Sequence, residues 1–294
     1  MNRAAAIFIP GALAFASLCG CSHPGKVEKP LLAASVEPEA ELVRAIAGDS
    51  FEVVTVLDKG GNPETFEPGM NKRLALDRAR VYFSLGGLLP FEKSLEGSLG
   101  KNVEIIDAGK GIEYAYGTHG GLEAHRGHMH DGDPDGADPH VWTSAVNLAV
   151  MVDNINETLC RIYPEQSEKF SARSDSMLSL LDSIDESIRA RLADAPSRTF
   201  AVWHPSLSYF ARDYGLTQIA LGQEHKELSA RRLKELIDSA SSAGVRVFFF
   251  QREFDSRQAE TANTRIGSRL VSVDPLSGDW FQQLNLICDE LTKR

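Results

Sequence analysis

From Pro164 to Pro196 the chain reads PEQSEKFSARSDSMLSLLDSIDESIRARLADAP. Phe170, Met177, Leu181, Ile184, Ile188 and Leu192 recur at spacings of seven, four and three, which place them on one face of a helix, and proline bounds both ends. Some 30 helical residues reach about 45 Å, longer than one small lobe needs. The stretch 164–196 is therefore read as a rigid strut between two lobes. A coiled-coil dimer is the weaker reading, because only about four heptads fit, and the chain is expected to be a monomer.

Short apolar runs lie on both sides of the strut. Upstream are Pro30 to Ser35, Phe51 to Leu57, Val81 to Leu85 and Val103 to Asp107, each followed by a Gly-, Pro- or Asp-rich break. Downstream are Thr199 to His204, Gln218 to Leu221, Val245 to Phe250 and Leu270 to Asp274, with helical patterns at Leu228 to Ser242 and Trp280 to Leu291. Such alternation predicts α/β layers. The expected fold is two Rossmann-like α/β lobes, residues 30–163 and 197–294, bridged by one long rigid helix with a cleft between them. A length of 294 residues suits this plan.

Hydrophobic residues make up 43% and charged residues 24%, which fits a chain that folds in water. The formal net charge of -10 argues against nucleic acid as a partner and suits a cation. Arg3 precedes an apolar run from Ala4 to Leu18 that is too short to span a bilayer and reads as an export signal, residues 1–20. Its end, Leu18-Cys19-Gly20-Cys21, is similar to the lipobox of bacterial lipoproteins. Cys21 would then carry the lipid, with 21–29 as a tether to the membrane. An ordinary cleaved signal is the alternative. Cys160 and Cys288 read as small buried apolar residues, with a disulfide as the other reading.

Between Thr118 and Asp138 a Gly- and Asp-rich stretch holds His119, His125, His128 and His130, a composition that binds metal weakly or is simply solvated. More specific donors stand at strand ends, where open parallel sheets gather ligands. Glu64 lies in the loop Gly60 to Pro68, His140 in Asp138-Pro139-His140-Val141-Trp142, and His204 before Pro205. Gln251 and Asp274 end the last two strand runs. Glu64, His140, His204 and one of Asp274 or Gln251 make a set suited to a divalent cation. With Asp274, two carboxylates balance its charge, which limits the cost of burying it. Taken alone, a histidine ending a strand is more often a capped or hydrogen-bonded residue than a ligand. Glu253, Asp255 and the run Glu224 to Glu227 read as solvated charges.

These landmarks, with Val81 to Leu88, His204 to Leu216 and Asp274-Pro275-Leu276, resemble in order and spacing the metal-binding solute receptors of bacterial ABC importers, most of all the zinc branch. The resemblance runs from Leu31 to the carboxyl terminus. It implies a metal held in the interlobe cleft, small motions on binding, and delivery to an ABC permease and its ATPase. His140 and His204 match two ligand histidines, Glu64 stands where the family has a third, and Asp274 matches an aspartate that some members use. Gln251 stands where many members carry glutamate. Zn²⁺ is the expected ion, with Mn²⁺ or Fe²⁺ as alternatives, and the histidines at 119, 125, 128 and 130 are expected to collect it. An adhesin or metal buffer of the same fold is the other reading. A zinc hydrolase fits less well, since no His-Glu-x-x-His pairing occurs, and no catalytic residue is assigned.

Overall fold

The computed structural model describes residues 29–116, 136–222, 229–251 and 256–294. The expected signal, Cys21, the four loop histidines, Glu224 to Glu227, Glu253 and Asp255 lie outside the described residues. The first lobe runs β1 (Leu31–Ala34), α1 (Glu37–Ala47), β2 (Glu52–Thr55), α2 (Met70–Leu76), β3 (Val81–Ser84), α3 (Pro90–Glu96), β4 (Glu104–Asp107) and α4 (Ala145–Ile162). A single turn at Pro164–Gln166 leads into α5 (Ser167–Leu192). The second lobe runs β5 (Thr199–Val202), α6 (Ser208–Asp213), β6 (Thr217–Ala220), α7 (Ala230–Ser242), β7 (Val247–Gln251), α8 (Ser256–Ile266), β8 (Arg269–Val273) and α9 (Trp280–Thr292).

Both sheets are parallel and four-stranded, with orders β2-β1-β3-β4 and β6-β5-β7-β8. The central strands read as unbroken apolar runs because helices cover both faces: Leu32, Ala33, Ala34, Val81, Tyr82 and Phe83 are fully buried in the first sheet, as are Phe200, Ala201 and Phe248 in the second. All eight expected strands form, six of them shorter than their apolar runs and β6 and β8 equal in length but shifted by one residue. Phe51, Val56 and Leu57 flank β2 and are buried as loop residues. In both sheets the chain leaves the middle pair in opposite directions, so a crevice opens between β1 and β3 and another between β5 and β7.

Helix α5 links the lobes as expected. It packs on α1 and α4 of the first lobe and on α9 of the second. Its buried face is Phe170, Ser174, Leu181, Ile184, Ile188 and Leu192, while Met177 is only half-buried. Arginines fasten it in both directions: Arg173 donates to the last carbonyls of α1, at 2.9 Å from Ala47, and Arg191 donates to Asn285 of α9 at 3.1 Å. Arg198 donates to the Leu192 carbonyl at 2.8 Å, satisfying a helix-end acceptor that the backbone leaves open. Cys160 and Cys288 are unbridged, the second buried and the first half-buried. Among the described residues no helix is long and apolar enough to cross a membrane.

Candidate metal centre

The loop after β2 is shaped by its own sequence. Gly60 has φ +79°, a conformation side chains rarely adopt, and the Gly61 N–H donates to the Asp58 carbonyl at 2.8 Å. Asn62 then folds back, its side-chain oxygen accepting from the Glu64 N–H at 2.9 Å. Phe66 anchors the far side, edge-on to Phe91 with ring centroids 5.6 Å apart. The outcome is a buried Glu64, 7% exposed, turned toward the second lobe.

His140 comes from the loop ahead of α4. Asp138 accepts both its backbone N–H at 2.9 Å and its Nδ1 at 2.8 Å. That bond places the ring proton on Nδ1 and the lone pair on Nε2, the tautomer a metal requires. Burial would raise the Asp138 carboxyl, but His140 beside it outweighs that and holds it below its ordinary value. The second lobe steadies this loop: Tyr209 donates its hydroxyl to the Asp138 carbonyl at 2.7 Å, and Trp142 donates its Nε1–H to the Pro275 carbonyl at 2.9 Å. His204 sits just past the end of β5, and its backbone carbonyl accepts from the Ser206 N–H at 2.8 Å.

Glu64, His140 and His204 meet. One ligand atom from each lies within 4.8 Å of the others, and all three residues are buried. The two Nε2 atoms are 3.2 Å apart, and Glu64 Oε1 is 3.1 Å from that of His204 and 3.9 Å from that of His140. Two donors about 2.0–2.1 Å from one tetrahedral ion lie about 3.3 Å apart, so the spacing suits a small dication. Among the described residues neither Glu64 oxygen has a hydrogen-bond partner. A buried carboxylate left so is costly without a cation to face.

Asp274 is not among the residues grouped here. Its Oδ1 accepts from the Leu276 N–H at 3.2 Å, capping the turn after β8. Its side chain lines a neighbouring cavity of about 620 Å³ with Glu37 and Asp58, separated from the metal pocket by Leu276. Gln251 does line the metal pocket, with Asn62, Pro63, His140, His204, Pro275 and Leu276. Asp138 is the residue whose role sequence reasoning missed. An Asp-Pro pair two positions before a candidate ligand was its only signal.

The family model for the zinc-uptake complex component A, periplasmic (ZnuA), matches residues 32–293. The chain belongs to this family. The zinc-binding protein AdcA of Streptococcus pyogenes serotype M3 is 28% identical over 254 residues, covering 82% of this chain and 49% of AdcA. This chain thus spans about half the length of that relative. A ZnuA deletion mutant with zinc bound superposes with a TM-score of 0.79 at 27% identity, covering 91% of this chain and 99% of its own. The laminin-binding protein of Streptococcus agalactiae, described as both adhesin and metal transporter, shares the fold with a TM-score of 0.77 at 19% identity, over 90% of this chain and 100% of its own.

Proposed function

We propose that this chain is an extracytoplasmic receptor that captures Zn²⁺ between its two lobes and delivers it to an ABC permease and its ATPase. The observation that carries this reading is the convergence of Glu64, His140 and His204, drawn from both lobes, on one buried point. In this reading lobes 30–163 and 197–294 act as jaws about the strut 164–196, and a lipid on Cys21 holds a monomer at the membrane. Two imidazoles favour zinc over manganese, and the Irving–Williams order points the same way. The fixed donor spacing supports capture with little lobe movement.

Metal analysis of the purified mature protein, followed by competition titration of Zn²⁺ against Mn²⁺, tests the site. Zinc is expected to bind more tightly than manganese. Glu64→Ala, His140→Ala and His204→Ala should each lower zinc affinity more than about 100-fold, beyond the loss typical of an outer-shell partner, while Asp274→Asn should leave it within about threefold. Equal affinity in wild type and the three alanine variants would remove this centre. The histidines at 119, 125, 128 and 130 are read as auxiliary collectors. Deletion of residues 119–131 should slow zinc capture at limiting metal, and unchanged capture refutes that role.

A further inference from the structure

We propose that Gln251 supplies a neutral oxygen donor that completes the shell of the ion held by Glu64, His140 and His204, a proposal that rests on the metal-receptor reading above. Gln251 closes β7, hydrogen-bonded between β5 and β8, so it stands at the carboxyl end of the sheet's interior beside the loop that carries His204. It is 2% exposed and lines the same pocket as His140 and His204. Its two amide poles are used unequally. Nε2 donates to the Ser206 hydroxyl, whereas Oε1 is buried with no hydrogen-bond partner among the described residues.

An orphaned buried carbonyl oxygen is unfavourable, since it has lost water and gained nothing. Here it belongs to a side chain in the wall of the pocket that His140 and His204 also line. Those two histidines stand 3.9 and 3.1 Å from the Glu64 carboxylate, whose oxygens have no hydrogen-bond partner among the described residues. A cation seated among the donors satisfies both groups at once. Ser206 fixes the orientation: with the nitrogen engaged there, the opposite pole of the amide is the oxygen. Asp274 instead caps Leu276 through its Oδ1 and lines the neighbouring cavity.

A neutral donor changes the charge of the loaded site. One carboxylate, two neutral imidazoles and an amide leave the dication with a net positive charge of one. A second carboxylate at this position would cancel that charge and hold the ion harder. Gln251 is thus a specificity- and release-determining residue. It supplies an oxygen without adding a proton-competing group, and it keeps the ion less tightly bound than a four-donor site with two carboxylates would.

Zinc competition titrations and stopped-flow release into excess chelator on the full mature chain, wild type, Gln251→Glu and Gln251→Leu, test this. Gln251→Glu, close in shape, is expected to tighten zinc binding at least tenfold and slow release. Gln251→Leu is expected to weaken binding at least tenfold, and in the Co²⁺-loaded protein to shift the visible absorption bands that report the donor set. Thermal melts of the metal-free variants check that each is folded. Zinc affinities of both variants within twofold of wild type, with an unchanged Co²⁺ spectrum, overturn the proposal. So does a folded Gln251→Glu that binds no tighter than wild type. If His204→Ala abolishes binding while the Gln251 variants leave it untouched, the centre stands and only the role of Gln251 falls. If His204→Ala also has no effect, the metal-receptor reading falls with it.

Discussion

The two sheets share one strand order yet fill their crevices in opposite ways. Between β1 and β3 the first lobe packs Glu39 and Glu92, both fully buried. Glu92 accepts from the N–H groups of Leu85 at 2.8 Å and Gly87 at 3.0 Å, Glu39 accepts from that of Ser35 at 2.7 Å, and the Ser35 hydroxyl joins Glu92 to the Tyr82 hydroxyl. That crevice is occupied by the protein itself. Between β5 and β7 the second lobe instead presents His204 and Gln251 to a pocket shared with its partner lobe. Identical topology therefore supplies a place for a ligand, and the side chains decide whether the chain or a solute takes it.

The division can be broken most directly at Asp138, which belongs to the first lobe but works for the shared pocket. Asp138→Ala should cost about 10–100-fold in zinc affinity by titration, the usual effect of removing the carboxylate that orients a ligand histidine. Unchanged affinity would mean the ring is held by other contacts.

The closed crevice should declare itself in stability rather than in binding. Burial raises the Glu92 carboxyl to about 7, even though hydrogen bonds from Ser35, Leu85, Leu89 and Gly87 pull the other way, and burial with Glu92 nearby pushes Glu39 well above its ordinary value. The folded chain then keeps a proton on Glu92 that the unfolded chain has already released above about 4.5. Its contribution is fully present below that point and is lost as pH rises through about 7, a loss on the order of 3 kcal/mol. In urea titrations of metal-free protein between pH 5 and 8, Glu92→Gln should show a shallower decline than wild type. Zinc affinity at pH 7 should not change, and a large change would show that the two crevices are coupled.

A smaller effect is expected at the seam. Tyr209→Phe removes the hydroxyl that donates to the Asp138 carbonyl and accepts from the Ala115 N–H at 3.3 Å. Denaturant titration should register about 1 kcal/mol, with zinc affinity reduced less than about fivefold. A loss matching that of Asp138→Ala would make Tyr209 a full partner in orienting His140.

Most of this architecture is legible in the residues because apolar runs bounded by Gly, Pro and Asp leave few alternatives to buried parallel strands. Glu64, His140 and His204 are legible for a related reason: each adjoins a proline in a loop that leaves a strand or leads into a helix, where backbone freedom is small. For Asp274, position alone does not reveal direction. A carboxylate two residues before a backbone N–H readily caps its own turn, and here that local bond wins. Asp138 hides because it resembles an ordinary turn former, whereas Gln251 is already a candidate from its place at the end of a strand run.

Helix α5 has a consequence for unloading. One continuous apolar core runs from Leu32 and Phe170 through Ile188 to Phe200 and Leu284, spanning both ends of the molecule. Prying the jaws apart would wet that core at about 2.5 kcal/mol for every 100 Å² laid bare. A smaller loosening would act at the polar seam, where Tyr209 donates to the Asp138 carbonyl and Trp142 to that of Pro275. Such a change would leave the spine in place.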